Sequence, residues 1–416
     1  MAEQRSMKLL KQNESYRSWF AADTSGEIAQ QVVFAALTLL AYSVTEDVAQ
    51  TGFIAAAMAA SRFASMLAGS WIVDFYPKRR LMIINALCRI VVSTVLLMLL
   101  SVGSLNTLSM FCISIAYGII GGVFGNLTNA ILPFIVAKDD ISAALTANET
   151  RDSVIQIAAA PASALLFTAA RALPFIIDIL GFAILAIATR SIRGDLEAKP
   201  VEDQENSAGG ALRIFYERSS RGLRWVYRQP AVLSVLLLMT ISSSSSFLVI
   251  NATELHILDS GQPVWRVGVV FAFFSAGMVC GGLLAAPLRR RLNPRRIVVL
   301  SAVVDVIAMV AFITANHWVL LAVIMFLWTQ LVIVNNSVLG AFQISKTPMD
   351  LHGRVGAAFR LIIGLTPIIG AGLAGILLSS LGWMLTMSIA LGLAAIRLAF
   401  AVFSRNLGDL KPAESA

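Results

Sequence analysis

Apolar residues run through this chain in long blocks separated by short polar turns, instead of recurring on one face of each element. A helix needs about 20 mostly apolar residues to cross the hydrocarbon core of a bilayer. Twelve such blocks can be drawn, at approximately 19–42, 51–73, 81–100, 108–136, 143–169, 173–189, 231–255, 267–288, 297–315, 318–344, 355–381 and 383–403. Inside lipid every backbone amide and carbonyl must be satisfied within the protein, and blocks of this length and continuity do so as helices. The pattern predicts an all-α polytopic membrane protein with twelve transmembrane helices.

Two of the turns resemble each other. Residues 69–81 read GSWIVDFYPKRRL and residues 282–297 read GLLAAPLRRRLNPRRI. In each, a small residue lies near the end of an apolar block, a short basic turn carries Pro77 or Pro294, and the next block begins at once. From the pair Arg79 and Arg80 the next charge inside a block comes nine residues on, at Arg89; from Arg295 and Arg296 the same step reaches Asp305. A cationic hairpin followed at equal distance by a buried charge, basic in one half and acidic in the other, is an internal repeat. The chain is expected to be two related six-helix bundles, 19–190 and 231–404, with segments 1–18 and 405–416 at the ends and a linker over 191–230.

Composition agrees: 57% of residues are hydrophobic and 13% charged, where a soluble domain carries roughly 25% charged residues. The excess positive charge, +8, falls in alternate loops. Basic residues precede the first block and follow the second, fourth, sixth, eighth, tenth and twelfth, while the other loops hold only Arg171 and Arg266 near their ends. By the positive-inside rule both termini and the linker are cytoplasmic, and no nucleic-acid partner is needed to explain the charge. The first 18 residues are too polar for a signal peptide core. The linker begins charged and rich in helix breakers, then places Leu212, Phe215, Tyr216, Leu223 and Trp225 among arginines, as an interfacial helix does. Cys88, Cys112 and Cys280 lie inside apolar blocks without ligand spacing, and the three histidines are scattered, so neither a metal nor another cofactor is expected.

The turn at 69–81 resembles the G-x-x-x-D-x-x-x-R-[RK] motif of the major facilitator superfamily of secondary transporters, with Gly69, Asp74, Arg79 and Arg80 in its places. Here Asp74 stands five residues after the glycine, and a proline occupies the turn. Further stretches, AILPFIVAKDDISAA from Ala130, GLRWVYRQPAV from Gly222, WRVGVVFAFFSAGMVCGGLLA from Trp265 and DLHGRVGAAFRLIIGLTPIIGAGLAG from Asp350, are similar to the bacterial branch that includes enterobactin and drug exporters. The resemblance implies a gating role for Asp74, bridging to a neighbouring helix, with Arg79 and Arg80 completing the network. The second hairpin lacks the acid, and its arginines are expected to set topology alone.

An ionisable group inside the bilayer costs a few kcal/mol or more, so each is a functional candidate by default. Asp23 and Glu27 are four apart and share a helical face; two carboxylates that compete to ionise in a poorly hydrated cavity are what proton coupling requires. Asp23 reads equally as a solvated residue near the interface. Glu149 and Asp178 are further proton-coupling candidates, although Glu149, with Arg151 and Asp152, also reads as an ion-paired helix start. Arg62 and Arg360 are candidates to attract an anionic substrate, and Arg360 alternatively pairs at a gate. Arg89 and Asp305 read as structural charges that neutralise other helices.

Uncharged polar residues mark a cavity. They are Gln30 and Gln31 in the first block, Asn126 and Asn129 in the fourth, Ser242 to Ser246 (Ser243 among them) in the seventh, and Gln330, Asn335 and Asn336 in the tenth. In the superfamily these four spans line the central cavity; hydrogen bonding between helices is the alternative use. Pro161 and Pro367 predict kinks in the fifth and eleventh blocks. No phosphate-binding loop, H-E-x-x-H or G-x-S-x-G occurs, which argues against an enzyme or a nucleotide-driven pump. The expected function is proton-coupled export of a small amphiphilic or anionic molecule, siderophore- or drug-like, by a monomer in the bacterial cytoplasmic membrane. Metabolite uptake and a non-transporting receptor or scaffold are the alternatives.

Overall fold

The computed structural model describes residues 13–125, 127, 130–137, 140–192, 222–315 and 317–404, with the backbone alone at 67, 68, 70, 71, 74, 75, 142 and 350. The helices are α1 Glu14–Thr45, α2 Val48–Phe75, α3 Lys78–Val102, α4 Thr107–Phe124, a short α5 Leu132–Ile135, α6 Ile141–Ala169 and α7 Leu173–Ser191. After the linker come α8 Pro230–Asp259, α9 Trp265–Arg291, α10 Pro294–Thr314, α11 Trp318–Lys346, α12 His352–Ile363 and α13 Thr366–Phe403. No strand occurs among the described residues.

Ten helices among the described residues are long and apolar enough to cross a membrane. The last, His352–Phe403, is 52 residues long and contains Gly382 at φ 73°, ψ 178°, a conformation essentially restricted to glycine. It therefore holds two of the predicted spans, and α2, 28 residues long, supplies one more. Together the helices account for the twelve apolar blocks.

The ends of these blocks moved for identifiable reasons. Helix α1 starts five residues before the first block because the Asn13 side chain accepts from the Tyr16 amide at 2.9 Å and caps it. The fourth block was expected to reach residue 136, but α4 stops at Phe124, beside Gly121, Gly122 and Gly125, and helix resumes only at α5. The eleventh block breaks between α12 and α13. Pro367 has no N–H for the Ile363 carbonyl, and the Thr366 hydroxyl donates to that oxygen instead at 2.7 Å. Pro161, in contrast, sits inside an uninterrupted α6.

The chain forms two compact units, Met1–Thr45 with Ala57–Leu212, and Glu46–Ala56 with Arg213–Ala416. In the first, α1 packs on α6 and α7, and α3 packs on α7. In the second, α8 and α10 pack on α13, and α9 packs on α11.

Each unit contains very close helix contacts, and one in each is built on a pair of glycines four apart. In the first, Gly118 and Gly122 of α4 lie against the backbone of α2 at Met58 and Arg62. In the second, Gly277 and Gly281 of α9 lie against the backbone of α11 at Phe326 and Gln330. Small residues four apart let two backbones approach where lipid supplies no hydrophobic drive. A Cβ at Gly122 would fall on the Arg62 carbonyl oxygen and 2.9 Å from the Met66 amide nitrogen, both backbone atoms that cannot step aside. Gly122→Val is expected to lower the melting temperature of the detergent-purified protein by several degrees, since overpacking costs about 1–3 kcal/mol. Gly282→Ala, where a Cβ would meet nothing within 4 Å, is the control expected to leave it unchanged.

Candidate functional site

The first unit carries a succession of polar groups through its apolar interior. On α1, Asp23 is buried and ion-paired with Arg151 of α6. Arg151 also bonds Asp152 at 2.7 Å and Thr24 at 3.2 Å, and its guanidinium lies 4.9 Å over the Phe20 ring. One turn further on, Glu27 is half-buried and accepts a hydrogen bond from the Gln31 amide at 2.7 Å, so Glu27 and Gln31 share the face that Asp23 begins. Gln30 is half-buried beside them.

Arg62 of α2 is exposed, and its guanidinium carbon lies over the Phe34 ring of α1 at 4.8 Å. It interacts electrostatically with Glu27 and Arg89 and has no ion pair at contact distance among the described residues. A guanidinium over a ring, with no ion pair of its own among the described residues and a carboxylate acting on it electrostatically, is suited to receiving a charged ligand.

Deeper still, Arg89 of α3 meets Asp178 of α7 at 2.7 Å with both side chains fully buried. The Ser93 hydroxyl donates to the other Asp178 oxygen at 2.5 Å and sits 2.7 Å from the Tyr117 hydroxyl of α4. The rings of Tyr117 and Phe182 lie 4.5 and 4.8 Å from the guanidinium carbon. Asp178 had no partner visible in the sequence; the fold supplies one 89 residues away.

The second unit repeats this circuit with the charges exchanged. Asp305 of α10 is buried and ion-paired with Arg397 of α13. Ser301 links Arg397 to Asn335 of α11, accepting from Arg397 at 2.8 Å and donating to Asn335 at 3.2 Å. Trp328 of α11 donates its indole N–H to Asp305 at 2.9 Å.

Trp328 also walls a cavity of about 230 Å³, which Ser243 and Ser246 of α8 and Asn336 of α11 help to line. Gln330 is turned away, its amide donating to the Phe326 carbonyl at 3.2 Å.

The remaining candidates do not join these groups. Glu149 and Arg360 are exposed and have no ion pair among the described residues. Asn126, Asn129 and the Asp74 side chain lie outside the described residues, as does the linker up to residue 221. Arg79 donates to the Ile192 carbonyl at 2.5 Å, and Arg80 is exposed.

The model for the Major Facilitator Superfamily matches residues 26–365. The chain belongs to the Major Facilitator Superfamily. Solved structures of similar fold include the nucleoside transporter NupG, 13% identical over 93% of this chain and 100% of that one, with a TM-score of 0.66. A bacterial homologue of the iron transporter ferroportin in an inward-facing state is 10% identical over 93% and 98%, TM-score 0.71. The peptide transporter POT in complex with alafosfalin is 14% identical over 95% and 96%, TM-score 0.70. No curated protein sequence matches. As a superfamily transporter, the protein takes a small-molecule substrate in a membrane setting.

Two residues of this superfamily member escaped the sequence reading, and both fall inside blocks it had drawn. Arg397 in the last span completes the second circuit. Glu254 on α8 is half-buried between buried neighbours and has no hydrogen bond or ion pair among the described residues. A scan of every block for any charge, applied as strictly to the last spans as to the first, would have found both.

Proposed function

We propose that the protein is a secondary active transporter that exports a small amphiphilic molecule, drug- or siderophore-like, in exchange for inward-moving protons. It acts as a monomer in the bacterial cytoplasmic membrane with both termini inside. The half-buried carboxylate of Glu27, acted on electrostatically by the Arg62 guanidinium that lies over the Phe34 ring, is the observation that carries this reading. Exchange needs one group that holds either a proton or the substrate, never both, while the protein alternates its access. Glu27 meets that need for a substrate presenting a cationic or hydrogen-bond-donating group. Bound substrate then requires the ionised carboxylate, and a returning proton releases it.

Arg62 supports a second reading. When Glu27 takes a proton, Arg62 loses its counter-charge and favours an anion such as a catecholate or carboxylate. Proton and anion would then bind together, which is co-transport and corresponds to metabolite uptake. The sign of the substrate charge and the direction of coupling are thus tied to each other.

Liposomes containing the purified protein and a pH-sensitive dye separate the readings. Adding candidate siderophores or lipophilic cations on one side is expected to drive protons to that side, as exchange requires. Proton movement in the same direction as the substrate would establish co-transport. No movement with any compound would sink both.

A further inference from the structure

The cavity in the second unit is walled by Phe247 and Ile250 of α8, Phe274 and Met278 of α9, and Trp328 of α11. Its volume of about 230 Å³ limits what it can hold. Drug-sized ligands occupy roughly 300–1,000 Å³, whereas a cavity of about 150 Å³ with aliphatic and aromatic walls accommodates one benzene. One ring with its linking atoms fits within it. The composition points the same way, because aromatic faces and edges and the polarisable Met278 sulfur favour a flat π-system over a flexible alkyl chain of equal area.

The back wall is fixed before any ligand arrives. The Trp328 indole is 2% exposed, donates to Asp305 at 2.9 Å and meets Phe312 edge-on at 6.0 Å. Asp305 is itself held by Arg397, which Ser301 anchors at 2.8 Å. In the first unit the matching circuit ends on Tyr117, wholly buried against Ser93 and Arg89. In the second it ends on a ring whose other side is cavity wall.

We infer that this cavity is a subsite for an aromatic ring of the transported molecule, and that Asp305, acting through Trp328, is a positioning residue for it. The inference rests on the transporter reading above and names the chemical class of its substrate. Ser243, Ser246 and Asn336 add hydroxyl and amide groups to the lining, enough to orient a ring that carries one polar substituent.

The test compares two probes of equal charge, tetraphenylphosphonium and tetrabutylphosphonium, by calorimetric titration of the detergent-purified full chain. The phenyl probe is expected to bind at least ten times more tightly. Ser243→Phe fills the cavity and is expected to bring that ratio near one. Trp328→Phe keeps a ring but loses the N–H to Asp305 and is expected to narrow the ratio; should that variant fold poorly, Ser243→Phe decides alone. A merely structural role for Trp328 would shift both affinities together and leave their ratio unchanged. Equal affinities in the wild type, binding of neither probe, or a ratio indifferent to Ser243→Phe would overturn the subsite. If those results come with intact substrate-driven proton movement in liposomes, the transport reading survives them; loss of that movement with every compound sinks the transport reading itself.

Discussion

Arg89→Ala and Asp178→Asn are each expected to destabilise the protein severely, whereas Arg89→Asp combined with Asp178→Arg recovers most of the loss. The pair is fully buried at 2.7 Å, and removing one member of such a pair costs about 3–5 kcal/mol because the other is left uncompensated. That is a large share of a total stability of about 5–15 kcal/mol, so yield and melting temperature in detergent should both collapse. The swap is expected to succeed because the second unit already runs the same circuit with the carboxylate on α10 and the guanidinium on α13. Recovery is expected to stay incomplete. The Tyr117 and Phe182 rings that stack on the guanidinium would then face a carboxylate, which their negative faces repel. A swap no better than either single change would show that polarity is not interchangeable here.

This pairing changes how the internal repeat is understood. Both units join a charge from one helix to its opposite on another and add a serine four residues along, Ser93 after Arg89 and Ser301 before Asp305. Both also contain a tight glycine contact, supplied by Gly118 and Gly122 of α4 with Gly69 of α2 in the first unit and by Gly277 and Gly281 of α9 in the second. The ion pair is kept while the side that supplies each charge is exchanged. What matters is then the complementarity of the pair and not the identity of either member. Arg89 and Ser93 both bond the oxygens of Asp178, which is what gives the pair its structural weight.

The spans were legible in the sequence because burial in lipid demands long apolar runs, and the repeat because a basic hairpin with a charge nine residues on is rare by chance. Helix ends were not legible where a side chain decided them, as Asn13 does for α1, or where a proline and a threonine split one block into α12 and α13. Pairing was the least visible. The partners Arg89 and Asp178 are 89 residues apart and Asp305 and Arg397 are 92 apart, and nothing local in the chain records such distances. The polar residues of the tenth block were expected to line a cavity together, but the helix sends them apart. Asn336 reaches the cavity, Asn335 bonds Ser301, and Gln330 bonds its own backbone.

Glu27→Gln is expected to abolish substrate-driven proton movement, to the level of protein-free liposomes, while leaving the fold intact. Glutamine has the same size, and its amide oxygen can still accept from Gln31, whose side chain now donates to Glu27 at 2.7 Å. What it lacks is a proton to release. The sharper measurement is the exchange of labelled for unlabelled substrate across the membrane, which involves no net proton movement; because bound substrate requires the ionised carboxylate, it should also fall in the variant, through lost affinity. The pH dependence gives an independent sign. In exchange the substrate binds the ionised carboxylate, so wild-type affinity rises with pH; the glutamine variant should be flat. An affinity that falls with pH in the wild type would instead mark an anion bound beside Arg62 with Glu27 protonated. Asp23→Asn is expected to act differently, because Asp23 is ion-paired with Arg151 and its loss leaves a partly buried guanidinium without that partner, lowering stability more than coupling. If Asp23→Asn abolished proton movement at unchanged stability while Glu27→Gln left it intact, the proton would be carried one helical turn from where we place it.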